Sequence, residues 1–196
     1  MPSTKKPPAP AYRLKVALLE IQPPIFRRLE VSSSMKLCCL HDAIQVAMGW
    51  TDSHLHQFEK NGEYWGVPEW DEFDDLELKD EAGIRVGELL KAEGDSVIYS
   101  YDFGDGWQHE VLVEKIEPVE REVKVPVCLG GERRCPPEDV GGVHGYQEFL
   151  DAILDPTHDE YEHLVGWAGG HFIDDFDPGP ANEKLRGMRW PVRHRR

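Results

Sequence analysis

An α+β fold is what the sequence predicts: antiparallel β-hairpins rolled around a helix, with further helices at the C-terminal end. Three observations carry that reading. Apolar residues alternate with polar ones in paired segments ahead of Pro126, each pair joined at a turn signal. One stretch with helical apolar spacing interrupts the pairs. After a Gly- and Pro-rich segment, only helical stripes remain, and strands followed by helices make an α+β arrangement.

The elements follow in order. Residues 1–11, rich in Pro and Lys, are expected to be a disordered tail. Tyr12 to Ile21 is a strand with Leu14, Val16 and Leu18 on one face. Pro23-Pro24 interrupts it, and Ile25 to Val31 is its hairpin partner, bent at an edge or bulge where proline is tolerated. Ser34 is placed to cap a helix over 35–48, where Leu37, Leu40, Ile44 and Ala47 recur at helical spacing, Cys38 and Cys39 fall in the apolar pattern, and Gly49 supplies the stop. His54 to Phe58 starts the next strand, and Asn61-Gly62 is a type I′ signal returning the chain through Tyr64 and Trp65. The acidic stretch from Pro68 to Gly83 reads as a solvated loop, and Val86 to Lys91 as a helical turn.

The central hairpin is Tyr99 to Glu110. With Gly104-Asp105-Gly106 as a three-residue loop, Phe103 faces Trp107, Tyr101 faces His109 and Tyr99 faces Val111. That pairing makes one aromatic face and one polar face of Ser100, Asp102, Gln108 and Glu110, and the second strand runs on through Val113 and Ile116. Cys128 to Gly142 is too rich in Gly and Pro for regular structure. Tyr146, Phe149, Leu150 and Ile153 form an amphipathic helical stripe. Thr157 with Glu160 is a capping-box signature before Tyr161, Leu164, Val165 and Ala168, and Asp177-Pro178 opens a last short helix. No internal repeat or second core is visible, so 12–185 reads as one domain and 186–196 as a basic tail.

Charge narrows the partners. The chain carries a formal net charge of −15, with 22 basic and 37 acidic residues. Lys5, Lys6, Arg186, Arg189, Arg193, Arg195 and Arg196 lie in the two tails, which leaves the body between them at −22. Such a surface repels a phosphate backbone, so nucleic acid is not expected on the body; it suits a cation, a basic protein partner or plain solubility. No apolar run approaches the roughly 18 residues of a membrane helix, the N-terminus has no apolar signal core, and four cysteines without an export signal read as thiols. The expectation is a cytoplasmic protein with no membrane association.

Five ordered motifs carry a resemblance. They are Tyr12-Arg13-Leu14-Lys15-Val16; Pro23-Pro24-Ile25-Phe26-Arg27-Arg28; Met48-Gly49-Trp50-Thr51-Asp52-Ser53-His54-Leu55-His56-Gln57-Phe58; Tyr101-Asp102-Phe103-Gly104-Asp105-Gly106-Trp107-Gln108-His109-Glu110; and Cys135-Pro136-Pro137-Glu138-Asp139-Val140-Gly141-Gly142. From Tyr12 to Leu185 the chain resembles the plasmid pRiA4b open-reading-frame-three family, departing at Phe26, where members often carry Trp. The resemblance implies a roll-like α+β fold with C-terminal helices and no established activity. Some relatives are labelled transposon resolvases, which links the family to mobile elements. A serine resolvase needs a nucleophilic serine among arginines on a basic surface, and this body is acidic.

The candidate chemistry is spread over these motifs. His54 and His56, two residues apart on a strand, share a face and could reach one metal ion, zinc or another divalent cation; the competing reading is a turn cap and a packed ring. Cys128 and Cys135 are wider apart than in a zinc knuckle, and three readings stand: zinc ligands with two histidines, a disulfide formed on oxidation, or plain structural thiols. Asp102, Asp105 and Glu110 could coordinate a cation or act as acid and base, against ordinary turn roles, and His109 reads more simply as a core histidine. Trp50, Trp65, Trp70 and Trp107 either line a groove or fill the core, and Glu138 and Asp139 sit in a rigid loop suited to recognition. Two functions follow. One is a non-enzymatic interaction or accessory module that binds a basic partner through the hairpin and the Pro-Pro-Glu-Asp loop. The other is a metal-binding protein or metal-dependent hydrolase with a His/Cys/carboxylate site.

Overall fold

A computed structural model describes residues 7–68, 77–170 and 172–190. Every paired strand joins one mixed sheet of order β5-β4-β3-β6-β7-β1-β2-β8. Its strands are β1 (Ala11–Leu18), β2 (Phe26–Ser32), β3 (His56–Lys60), β4 (Glu63–Gly66), β5 (Leu78–Asp80), β6 (Ser96–Tyr101), β7 (Trp107–Glu117) and β8 (Val127–Glu132). All neighbours are antiparallel except β4 and β5.

Alternation decides the layering. Leu14, Val16, Leu29, Val31, Phe58, Tyr99, Val111 and Val113 are buried on one face, while Arg13, Lys15, Arg28 and Glu114 alternate with them on the other. Helix α1 (Leu37–Met48) covers the apolar face with ten buried residues, ending where Gly49 takes a left-handed φ of 93°. A short α2 (Val86–Leu89) packs beside it. Helices α3 (Gly142–Ile153), α4 (Tyr161–Trp167) and α5 (Pro178–Gly187) complete the α+β fold. Among the described residues no helix is long and apolar enough to cross a membrane.

Arg27 ties the layers together. It is 1% exposed, yet its guanidinium donates to the carbonyls of Ala47, Phe26 and Glu132 and stacks on Phe176. A buried cation persists only with such partners. The Ala47 bond also satisfies a carbonyl that the end of α1 leaves open.

Several expectations are corrected. The helix starts at Leu37 and has no side-chain cap; the Ser34 hydroxyl is taken by Ser32 and Glu122 instead. The central hairpin is two residues out of the expected register: Tyr101 pairs with Trp107, Tyr99 with His109 and Val97 with Val111. Asp102 causes the shift. It takes a φ of 55°, and its Oδ1 accepts from the amides of Gly104 and Asp105, so the turn begins at Asp102 and Phe103 is expelled to 54% exposure. The Gly-rich stretch expected to be irregular contains β8, with a register break between Arg28 and Leu29 of its partner β2. Thr157 caps no helix and bonds Asp155. The acidic loop contributes β5, while its residues 69–76, Trp70 among them, fall outside the described residues. The type I′ turn at Asn61-Gly62 and the helix opened by Asp177-Pro178 form as expected, with φ of 55° and 78° at the turn and the Asp177 carboxylate accepting from the Gly179 amide.

Strand β8 is a sheet edge, and α5 guards it. The Asn182 amide donates to the Cys128 carbonyl at 2.7 Å and accepts from its N–H at 2.8 Å, standing in for a ninth strand. Asn182→Ala is expected to lower stability by about 1–3 kcal/mol, because two part-buried backbone groups lose their partners. Urea unfolding reads this as a lower midpoint with faster amide exchange at Cys128; an unchanged midpoint would contradict the role.

Candidate functional site

The site is built over two inward positions of β6. The Tyr99 hydroxyl, wholly buried, meets His41 Nδ1 at 2.8 Å and accepts from the Gln45 amide at 3.0 Å, both on α1. His41 Nε2 lies 2.9 Å from Asp52 Oδ1, and the Asp52 amide donates to Gln45 Oε1. An ionised Asp52 only accepts, so His41 donates from Nε2 and accepts a hydrogen bond from the Tyr99 hydroxyl at Nδ1. Burial, and then the neighbouring His56, lower the His41 pKa to about 3, which holds the ring neutral.

The second position is Tyr101. Its hydroxyl accepts from the Ser53 amide and donates to Glu138. The Trp50 indole stacks on the Tyr101 ring at 4.9 Å and donates to the Pro136 carbonyl. The loops 50–54 and 136–141 are thereby fastened to the same strand. Asp105 closes the third side by accepting from the Gly141 amide, and a Cβ on Gly142 would come within 2.4 Å of the Asp105 carbonyl oxygen, so only glycine permits this approach.

His54, Asp102, Glu138 and Asp139 meet where these loops converge. His54 Nε2 is 3.2 Å from Asp139 Oδ1, 3.6 Å from Asp102 Oδ2 and 3.9 Å from Glu138 Oε2. It is sealed from solvent without a well-aligned hydrogen bond. Two of the carboxylates divide their oxygens. Asp102 Oδ1 holds two turn amides while Oδ2 faces His54; Glu138 Oε1 holds the Thr51 amide and hydroxyl while Oε2 faces His54, the Tyr101 hydroxyl lying 3.1 and 3.3 Å from the two oxygens. His54, Asp102 and Asp139 present ligand atoms all within 4.8 Å of one another.

A second group, His41, Asp52 and His56, also lies within that distance. Its two imidazoles stack face to face, with centroids 3.5 Å apart and planes at 9°. Lone pairs lie in the ring plane, so parallel rings do not converge on one ion. His56 Nε2 is 2.9 Å from Glu81, and both side chains are buried.

Residues 10–183 match the family described as plasmid pRiA4b ORF-3-like protein. The chain belongs to that family. It is 37% identical over 174 residues to uncharacterized protein y4hQ of Sinorhizobium fredii (strain NBRC 101917 / NGR234), covering 89% of this chain and 87% of that relative. The crystal structure of MM3350, a protein of unknown function from Methanosarcina mazei Go1, superposes with a TM-score of 0.80 at 37% identity, over 90% of this chain and 98% of that one. The fold is thus shared with that structure, and neither relative's description names an activity.

Among the sequence candidates, His54, Asp102, Glu138 and Asp139 are brought together, and Asp105 braces their loops. His56 belongs to the adjoining network, aimed at Glu81 rather than at the His54 group. Trp50, Trp107 and His109 are at most 2% exposed and fill the core beneath the site rather than line a groove. Glu110 alternates with buried His109 and Val111 and so faces the other side of the sheet. Cys128 and Cys135 join neither group; both are buried close to Arg27, and desolvation raises both thiols, Cys135 to about 12. His41, Gln45, Asp52, Glu81 and the two tyrosines were not singled out by sequence, although Asp52 stands two residues before His54 in the same motif.

His109 has a pH consequence. Complete burial lowers its pKa from 6.5 to about 4, while Nδ1 lies 3.2 Å from the Tyr99 carbonyl. Between those pH values the unfolded chain binds a proton that the fold refuses. Stability is therefore full above pH 6.5 and declines as pH falls toward 4, by up to about 1.4 kcal/mol per pH unit for each such histidine. His109→Leu should flatten that decline in urea unfolding at stepped pH; an unchanged slope would contradict it.

Proposed function

We propose that this protein binds one divalent metal ion between His54, Asp102 and Asp139, with Glu138 Oε2 as a fourth donor. The observation that carries the reading is the state of His54 Nε2, surrounded by three carboxylate oxygens and sealed from water, yet aligned with none of them. Donors that share an ion aim at a point between them rather than at each other. Bonds of 2.0–2.1 Å place tetrahedral neighbours about 3.3 Å apart, near the shorter separations here. The divided carboxylates add support, since hydrogen-bonded outer oxygens orient the inner ones.

One imidazole with two or three carboxylates suits zinc or another first-row divalent ion. The Asp139 side chain is 73% exposed, so the centre borders solvent on that side, from which a bound ion would draw a water or a substrate oxygen. A centre of that kind polarises a bound oxygen or activates water, which supports the metal-dependent hydrolase reading over a closed structural site.

Calorimetric titration of chelator-stripped protein with zinc chloride is expected to show one ion per chain. Asp102→Asn and His54→Gln should each weaken binding at least about tenfold. The double variant Cys128→Ser, Cys135→Ser should bind as wild type does. Absence of zinc and manganese uptake, or uptake lost only in the cysteine variant, would overturn the assignment.

A further inference from the structure

An open cavity of about 610 Å³ lies between α3 and α4 on the Asp139 side of the site. Its apolar floor includes Phe149 and Trp167, edge to face at 5.8 Å, with Trp167 45% exposed. Its walls carry four carboxylates, Asp139, Glu148, Asp151 and Glu160, and among the described residues no lysine or arginine lines it. Of its two histidines, His158 accepts the Glu160 amide at Nδ1. Glu148 lies 3.5 Å from His144 on the same helix, neither it nor Glu160 reaches a lysine or arginine among the described residues, and the volume is of the size that ligand pockets have.

We propose that this cavity is a recognition site for a basic peptide segment, seating an arginine or lysine against the Trp167 face between the carboxylates, with a neighbouring apolar side chain on the floor. The chemistry is complementary in both respects. An aromatic face attracts a cation through its quadrupole, and carboxylates on two walls attract it by charge. The acidic body, at −15 for the whole chain, draws a basic partner from further away. The cavity meets the proposed metal site at Asp139 alone among its lining residues.

Fluorescence anisotropy with the full chain tests this. The probe is a fluorescein-labelled decapeptide of alternating leucine and arginine, with a glutamine-for-arginine peptide and free spermidine as controls. The arginine peptide should bind saturably. The double variant Glu148→Gln, Glu160→Gln should weaken it roughly three- to tenfold, the loss expected for two part-exposed ion pairs, with an unchanged thermal midpoint. Trp167→Leu should weaken it as well, and added salt should weaken wild type more than the glutamine variant. Asp102→Asn, which disrupts the metal site without lining the cavity, should bind the peptide as wild type does, so this result is read independently of zinc uptake. Equal binding of the glutamine peptide, or no effect of the substitutions, would overturn the proposal. Displacement of the peptide by equimolar spermidine would overturn the assignment to a peptide.

Discussion

Two tyrosine hydroxyls buried at successive inward positions of one strand constrain everything around them. A hydroxyl removed from water needs partners, and losing them costs about 1–3 kcal/mol. Tyr99 finds its partners on α1, and through His41 and Gln45 reaches Asp52. Tyr101 finds its own in the Ser53 amide and the Glu138 carboxylate. The helix, the loop after it and the loop after β8 are therefore positioned by one strand. The candidate ligands come from exactly those loops and from the turn that ends the strand, so satisfying the core assembles the site.

The same economy explains why two histidine groups side by side behave differently. His41 and His56 are deep and stacked, with His41 bonded to Tyr99 and Asp52 and His56 Nε2 to Glu81. Through the bond of His41 to Asp52 they anchor the loop that carries His54. His54 itself sits at the rim among carboxylates whose outer oxygens are already held by backbone amides. Asp52, Asp102 and Asp139 all adopt positive φ, a conformation aspartate tolerates better than most residues, and each turns the chain at an edge of the site. The acidic cavity then begins at Asp139, which places it beside the candidate metal site.

Much of the fold was legible because it depends on short-range pattern. Alternation in β1, β2 and β6, the Asn61-Gly62 turn and the apolar spacing of α1 are each written within a dozen residues. What failed depends on remote groups or on side chains competing with the backbone. The hairpin register turned on the Asp102 carboxylate capturing two amides, which a glycine count does not reveal. Strand β8 looked irregular because its pairing partner is β2 and its edge is covered by Asn182, 54 residues on. The site was legible by residue type at His54, Asp102, Glu138 and Asp139, all within the motifs that mark the family. Cys128 and Cys135 drew attention by chemistry alone, and burial beside Arg27 makes them core. His41 was hidden by its place on a buried helix face, where it passes for packing.

The central claim is that one ion sits among His54, Asp102 and Asp139. Anomalous diffraction at the zinc edge from crystals grown with zinc tests it most directly. The account predicts a single strong peak about 2.0–2.2 Å from His54 Nε2, Asp102 Oδ2 and Asp139 Oδ1. A peak beside Cys128 and Cys135, or between the stacked rings of His41 and His56, or none at the loop junction, would contradict it.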